Sequence, residues 1–234
     1  MNFIVNAFTD GTDFIGQDGF RPIGQRCAPR GFGDMICQIS NLNAQTDSGN
    51  VLTSYINPAF NIFNSLLLKK HQKHTWINNR AIFEQCVSMA SNNEELCKIT
   101  DRKFLHSYPD YEYIKLDKSK FIKPDGWNEK PFSYATAQSV PFAQKCKYDL
   151  DEIQNIYKKF GIKIIEVGGK EDLGLLKLAY IIHNAQFHLG IDSGMTHFAL
   201  TIKDKKDVKI FIPKKRITGV GKRWIDAGGD VTLI

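Results

Sequence analysis

From residue 132 onward, short apolar and β-branched runs alternate with stretches of helical period. Residues 132–136 suit a strand and lead into a polar loop that reaches 147. Over 150–160, Ile153, Ile156, Tyr157 and Phe160 fall at i, i+3, i+4 and i+7, which is the apolar stripe of a helix. Asp149 or Asp151 can cap its start, and Gly161 stands where such a helix stops. Residues 162–167 then predict a strand closed by Gly168 and Gly169, 173–184 a second helix and 187–191 a third strand. A helical pattern over 193–202 and an apolar run over 208–212, ended by Pro213, complete the series. Strands and helices in strict alternation call for right-handed crossovers, and therefore for a parallel sheet with helices on both faces: an α/β, Rossmann-like lobe.

The first half is less regular. Residues 2–7 predict a strand, and 10–30 are rich in Gly, Pro and polar side chains. A helix is expected over 35–42 after a glycine turn at 31–33, a strand over 51–55, helices over 59–70 and 80–90, and an alternating strand over 108–116. The breaker-rich stretch 118–130, with Pro124, Asp125 and Gly126, reads as a linker. This divides the chain into an N-terminal lobe, 1–120, and a C-terminal lobe, 121–234.

With 234 residues and 42% hydrophobic content, the chain can form the cores of two small lobes. It has no apolar run of the roughly 18 or more residues that a membrane-spanning helix needs, and its first ten residues lack the basic start and apolar run of a secretory signal. A cytoplasmic location is expected. Cys27, Cys37, Cys86, Cys97 and Cys146 are odd in number and form no C-x-x-C pair, so they read as reduced thiols. His71 and His74 lie beside Lys69, Lys70 and Lys73 with no Cys or carboxylate to complete a ligand set, which reads as a solvated basic face and not a metal site. Lys plus Arg outnumber Asp plus Glu by 31 to 25, for a net charge of +6. The positive charge gathers in 69–73, 115–123, 203–209 and 214–223. Each cluster alone reads as solvated surface, whereas together they suit an anionic partner.

The sharpest local signal is HLGIDSGMTHFA over 188–199, an apolar strand that stops at Asp192 and turns through Ser193 and Gly194 into a helix. A helix start there presents unpaired N–H groups and a positive dipole end, a ready site for phosphate. Gly194 removes a side chain that would block approach, Ser193 and Thr196 add hydroxyls, and His197 lies one turn along. The turn is also at the carboxyl end of a strand, where open α/β sheets bind ligands. The plainer alternative is that Asp192 and Ser193 only cap the helix and that His197 is a satisfied, partly buried histidine.

Together, Gly168-Gly169-Lys170-Glu171, the helical run 175–185 and the turn 190–199 resemble the C-terminal donor site of the lipopolysaccharide heptosyltransferase family. That family has a strand ending in a glycine-rich turn with an acidic residue, a helix, a strand, and then D-[ST]-G-x-x-H-x-A. The resemblance covers residues 132–213 and implies a GT-B fold, two small Rossmann-like lobes with a cleft between them, in a pared-down, bacteriophage-type form. By position it gives Asp192, Ser193, Gly194, Met195 and Thr196 to the diphosphate of a nucleotide sugar, with His197 nearby. Gly168, Gly169 and Glu171 form the glycine-rich turn, and Thr136, Gln138 and Lys145 occupy the equivalent of the phosphate-facing end of the family's first C-terminal strand. In the N-terminal half, Gly33-Asp34 has the form of the family's G-D turn opening a helix, whose aspartate is the catalytic base, which makes Asp34 the equivalent. Its plainer reading is a helix N-terminal acid favoured by the dipole.

The resemblance implies a metal-independent glycosyltransferase, with the nucleotide sugar as co-substrate and no bound cofactor. The family name implies a lipid-core or other glycan acceptor. The charge clusters and the aromatics Trp76, Tyr108, Tyr111 and Trp127 would suit instead a hydroxylated pyrimidine in DNA, although the same aromatics could equally belong to the core. A non-catalytic nucleotide-sugar-binding module and a sugar-nucleotide epimerase or hydrolase stand as the other two classes.

Overall fold

Two parallel sheets organise the chain, one in each of the units Met1–Ser107 and Tyr108–Ile234 into which it divides. The computed structural model describes residues 3–5, 8–9, 26–27, 32–45, 49–53, 59–69, 72–79, 81–82, 85, 97–99, 113–138, 150–168, 173–214 and 221–234.

The first unit contains β1 (Phe3–Val5), β2 (Phe8–Thr9), β3 (Arg26–Cys27), α1 (Phe32–Gln45), β4 (Gly49–Thr53), α2 (Ala59–Leu66), β5 (His74–Asn78) and β6 (Cys97–Ile99). Its main sheet runs in the order β5-β4-β1-β6 with every pairing parallel, while β2 and β3 form a separate antiparallel pair. α2 is amphipathic: Phe60, Phe63 and Leu66 point inward and Ile62 is exposed. α1 differs, because every residue from 35 to 42 is buried, including Gln38, Ser40 and Asn41. The Ser40 hydroxyl answers that burial by donating to the Ile36 carbonyl at 2.8 Å.

The strands and helices expected over 2–7, 35–42, 51–55 and 59–70 correspond to β1, α1, β4 and α2, with shifted ends. α2 stops at Leu66, and Leu67 forms a bridge instead of a further helical turn. Of the helix expected over 80–90, residues 81, 82 and 85 are helical and the rest lie outside the described residues. β5 corrects the reading of His74 as part of a solvated basic face. His74 and Trp76 alternate with exposed Thr75 along β5, and His74 is 2% exposed with Nε2 3.3 Å from the Leu42 carbonyl. The lysines before it masked a strand only five residues long. His71 lies outside the described residues.

The second unit contains β7 (Tyr134–Gln138), α3 (Leu150–Lys159), β8 (Lys163–Val167), α4 (Gly174–Asn184), β9 (His188–Gly190), α5 (Gly194–Ile202), β10 (Val208–Ile212), α6 (Lys222–Asp226) and β11 (Asp230–Leu233). The sheet order is β11-β10-β9-β7-β8, parallel throughout. From β7 the chain steps outward to β8, then returns past β7 and continues the other way to β9, β10 and β11. With right-handed crossovers this puts α3 on one face and the later helices on the other. The packing agrees. Ile153 of α3 joins Ala137, Leu189, Ile191 and Phe211 in one cluster. On the opposite face the Tyr134 hydroxyl donates to the Ile181 carbonyl of α4 at 2.8 Å, and Thr196 of α5 presses on Gly190.

The stretch 118–130, expected as a linker, is folded onto the second unit. Ile122 N–H donates to the Leu176 carbonyl at 3.3 Å, Phe121 meets His183 edge-on with centroids 5.8 Å apart, and Trp127 meets Tyr134 at 5.7 Å. Apolar side chains spaced among the lysines supply these anchors. Just before it, Leu116 N–H donates to the Thr201 carbonyl at 3.2 Å, and Tyr113, Ile114 and Leu116 are buried. Of the strand expected over 108–116, Leu116 is a single bridge residue, 113–115 are irregular, and 108–112 lie outside the described residues. Among the described residues no helix is long and apolar enough to cross a membrane.

Candidate functional site

The order β11-β10-β9-β7-β8 reverses direction between β7 and β9, so the carboxyl ends of these two strands lead into opposite crossovers, the place where open α/β sheets bind ligands. Gln138 ends β7, and Ile191, Asp192 and Ser193 follow β9 into α5. The topology therefore points to the same corner as the glycine turn in the sequence.

Ser193 adopts extended backbone geometry as the N-cap of α5, and its Oγ accepts from the Thr196 N–H at 3.3 Å. That hydroxyl donates to Gln138 Oε1, and the Thr196 hydroxyl donates to the Ile191 carbonyl. Gly190 is required here, because a Cβ would stand 2.4 Å from Thr196 Oγ1 and 3.0 Å from its Cγ2. Thr196 is fully buried, and its hydroxyl folds back over the strand end.

This chain of donors determines what remains for a ligand. Ser193 Oγ already accepts from Thr196, so its proton goes to the Gln138 carboxamide oxygen, which turns the Gln138 NH2 group away as a donor. Gln138 is 6% exposed, and its amide nitrogen meets no acceptor among the described residues. Gly194 and Met195 are the first two residues of α5, where N–H groups have no intrahelical acceptor, and the Ser193 cap serves Thr196 alone. Three N–H donor groups, two backbone and one carboxamide, thus stand at one corner beside the positive end of a helix dipole, the arrangement that stabilises an anion.

Gly168, just past β8, has φ +75, and a Cβ there would lie 2.9 Å from Met195 Cε. Met195 therefore reaches back across the ends of the strands and closes that side of the corner. Thr136 is placed differently: it lies two residues back within β7, fully buried, with Oγ1 3.1 Å from His188 Nδ1. His197 also turns inward. Its Nδ1 is 2.8 Å from the Tyr113 hydroxyl, and its ring stacks on Trp224 with centroids 4.5 Å apart and planes at 24°. Burial, the largest influence, lowers its pKa to about 4; Asp192 pulls it up and Arg223 pushes it further down. His197 is neutral at pH 7.

Asp192 is tied by the Trp224 indole, whose Nε1–H donates to Oδ1 at 3.0 Å. Sequence reading missed Trp224 and Tyr113. Trp224 lies 32 residues beyond Asp192 on a helix of five residues, too short for a periodic signal, and Tyr113 falls in a stretch expected to be a strand. Lys145, Gly169 and Glu171 lie outside the described residues. Asp34 lies in the first turn of α1, in the other unit, and its side chain is likewise outside them. Among the described residues no group of three or more His, Cys, Asp or Glu gathers to hold a metal. One pair with D-x-D spacing, Asp149 and Asp151, is present in the sequence; Asp149 and the side chain of Asp151 lie outside the described residues.

Trp76 and Trp127, the two base-stacking candidates that are described, pack on other rings: buried Trp76 against Phe60 at 6.0 Å and half-buried Trp127 against Tyr134. Tyr108 and Tyr111 lie outside the described residues. Lysines of the basic clusters are also engaged. Lys115 Nζ donates to the carbonyls of Leu200 at 3.2 Å and Lys203 at 2.9 Å, Lys203 Nζ to that of Ala185 at 2.6 Å, and Lys209 pairs with Asp230.

Fold and corner together define an α/β protein with a five-stranded parallel sheet and a capped helix start at the point where its strand order reverses. No protein-family model matches the sequence, and no curated protein matches it.

Proposed function

We propose that the turn after β9 binds the diphosphate of a nucleotide sugar, and that the protein is a metal-independent glycosyltransferase of GT-B architecture. The observation that carries this reading is the set of donors that meet no acceptor among the described residues, the Gly194 and Met195 N–H groups and the Gln138 amide, at the switch point between β7 and β9. A diphosphate offers the matching acceptor oxygens and the charge that a helix N-terminus favours.

In this reading the Asp34 carboxylate takes the proton of the acceptor hydroxyl as its oxygen bonds to the anomeric carbon. The bond from that carbon to the diphosphate oxygen breaks, and the leaving diphosphate carries away the electron pair. Its growing negative charge is met by the fixed N–H groups, which need no reorganisation during the reaction. His197 and Thr136 act beneath the site: the first backs the turn through Trp224 and Tyr113, and the second holds β7 to β9 through His188.

The test incubates the full chain with a panel of nucleotide sugars and two acceptors, hydroxymethylated DNA and a lipid-core oligosaccharide, and follows acceptor mass. One acceptor should gain one sugar. Asp34→Asn should slow transfer on the order of 100-fold or more while donor binding persists. Mass added to DNA would identify the hydroxylated pyrimidine as acceptor, and mass added to the oligosaccharide a glycan. Donor binding without transfer would reduce the protein to a binding module. Free sugar or an epimer released without acceptor would make it a hydrolase or epimerase, and absence of donor binding would contradict the proposal altogether.

A further inference from the structure

We infer that Trp224 is a positioning residue for the turn, its indole holding both the residue that enters the turn and the residue one helical turn beyond it. The inference rests on the diphosphate reading of that turn and deepens it by naming the side chain that sets the geometry of its N–H groups.

Trp224 is 1% exposed and is fixed from both ends. Its backbone carbonyl accepts from the Gly229 N–H at 2.9 Å, and Gly229 has no room for a side chain: a Cβ would lie 2.9 Å from that same carbonyl oxygen and 3.1 Å from Ile210 Cδ1. α6 is thereby seated tightly against β10 where the chain turns into β11. From this seat the indole Nε1–H donates to Asp192 Oδ1 at 3.0 Å, while the ring stacks on His197. At its edge, His197 Nδ1 is held by the Tyr113 hydroxyl at 2.8 Å.

Ser193, Gly194, Met195 and Thr196 lie between the two residues that Trp224 holds, so the N–H groups proposed to meet phosphate are suspended between two fixed points. The bond to Asp192 has a second effect. Asp192 is half-buried beside a corner proposed to receive an anion, and an N–H directed at its carboxylate fixes that charge and partly compensates it. An indole used only to fill the core would not need its N–H aimed at a carboxylate in this turn.

The test is a double-mutant cycle on the full chain, with UDP, ADP and GDP titrated by calorimetry. Trp224→Phe keeps an aromatic ring against His197 and removes the N–H. It should weaken the tightest of the three nucleoside diphosphates by about tenfold in the wild-type background, and by less than twofold in the Asp192→Ala background, since the bond is then already gone. A packing role alone would produce the same loss in both backgrounds, and that outcome would overturn the inference. If Trp224→Phe does not fold, as read by circular dichroism, the comparison passes to position 192. Asp192→Asn retains an acceptor oxygen for the indole and should recover most of the affinity that Asp192→Ala loses; equal losses in the two would overturn the inference. Wild-type protein that binds none of the three nucleotides would instead remove the diphosphate reading, and the inference with it. Wild-type binding with an additive cycle removes the inference alone.

Discussion

Two buried histidines set how the second unit responds to acid. His188 is fully buried, with its pKa lowered to about 3, chiefly by desolvation and then by Lys203; His197 is lowered to about 4, again chiefly by burial. Both are neutral in the folded chain, whereas in the unfolded chain each takes up a proton below its ordinary value near 6.5. The unfolded state therefore binds more protons between about 6.5 and these lowered values, so stability is complete above 6.5 and falls as the pH drops through that window. Urea unfolding at a series of pH values should show the unfolding constant rising by up to about tenfold per pH unit for each histidine below 6, and the slope should shrink in His188→Asn. A midpoint independent of pH between 4 and 6.5 would contradict this placement of the two rings. Much of the corner was legible at this scale, because Ser193 and Thr196 stand three apart within one turn and the capping of the Thr196 N–H by Ser193 follows from local chemistry. The inward turn of His197 was legible only as the plainer of two alternatives, since the residues that decide it, Tyr113 and Trp224, are both far away in sequence.

Helices α4 and α5 of the second unit end on lysines that reach them from elsewhere. Lys203, just past α5, sends its amine to the last carbonyls of α4, with Ala185 O at 2.6 Å and His183 O at 3.5 Å; Lys115 does the same for α5. A cation at a helix C-terminus meets both the unpaired carbonyls and the negative end of the dipole. Lys203→Met keeps the aliphatic stem and leaves the Ala185 carbonyl unanswered, so it should lower unfolding stability by about 1–3 kcal/mol in urea titration with little change in helix content. An unchanged midpoint would show that water serves this carbonyl equally well. Sequence periodicity located β7, α3, β8, α4, β9, α5 and β10 because each carries its own apolar pattern and its own stop signal. It missed β5, β6, α6 and β11, which have between three and five residues each and are held by their neighbours in the sheet. It also read Lys115 and Lys203 as solvated charge, since a capping lysine and a surface lysine are alike until the helix end they reach is known.

At the scale of the molecule, two parallel α/β sheets stand in two units, and in the second the strand order reverses between β7 and β9. That topology was partly legible: alternation of strands and helices requires a parallel sheet, but the order β11-β10-β9-β7-β8 depends on which side of β7 each crossover returns to, and local pattern does not encode it. The net charge of +6 is a weaker guide than it first suggests, because several of the lysines that make up the clusters serve helix ends and ion pairs. The central claim concerns three N–H donor groups, and it is tested most directly by following them. Full-length protein labelled with 15N should be titrated with the nucleoside diphosphate that it binds most tightly, with the Gly194 and Met195 amides and the Gln138 side-chain NH2 assigned. The account predicts that these three signals shift saturably along one binding curve, and that Ser193→Ala weakens that curve. Three signals unmoved at millimolar nucleotide, or shifts confined to residues away from the carboxyl ends of β7 and β9, would contradict it.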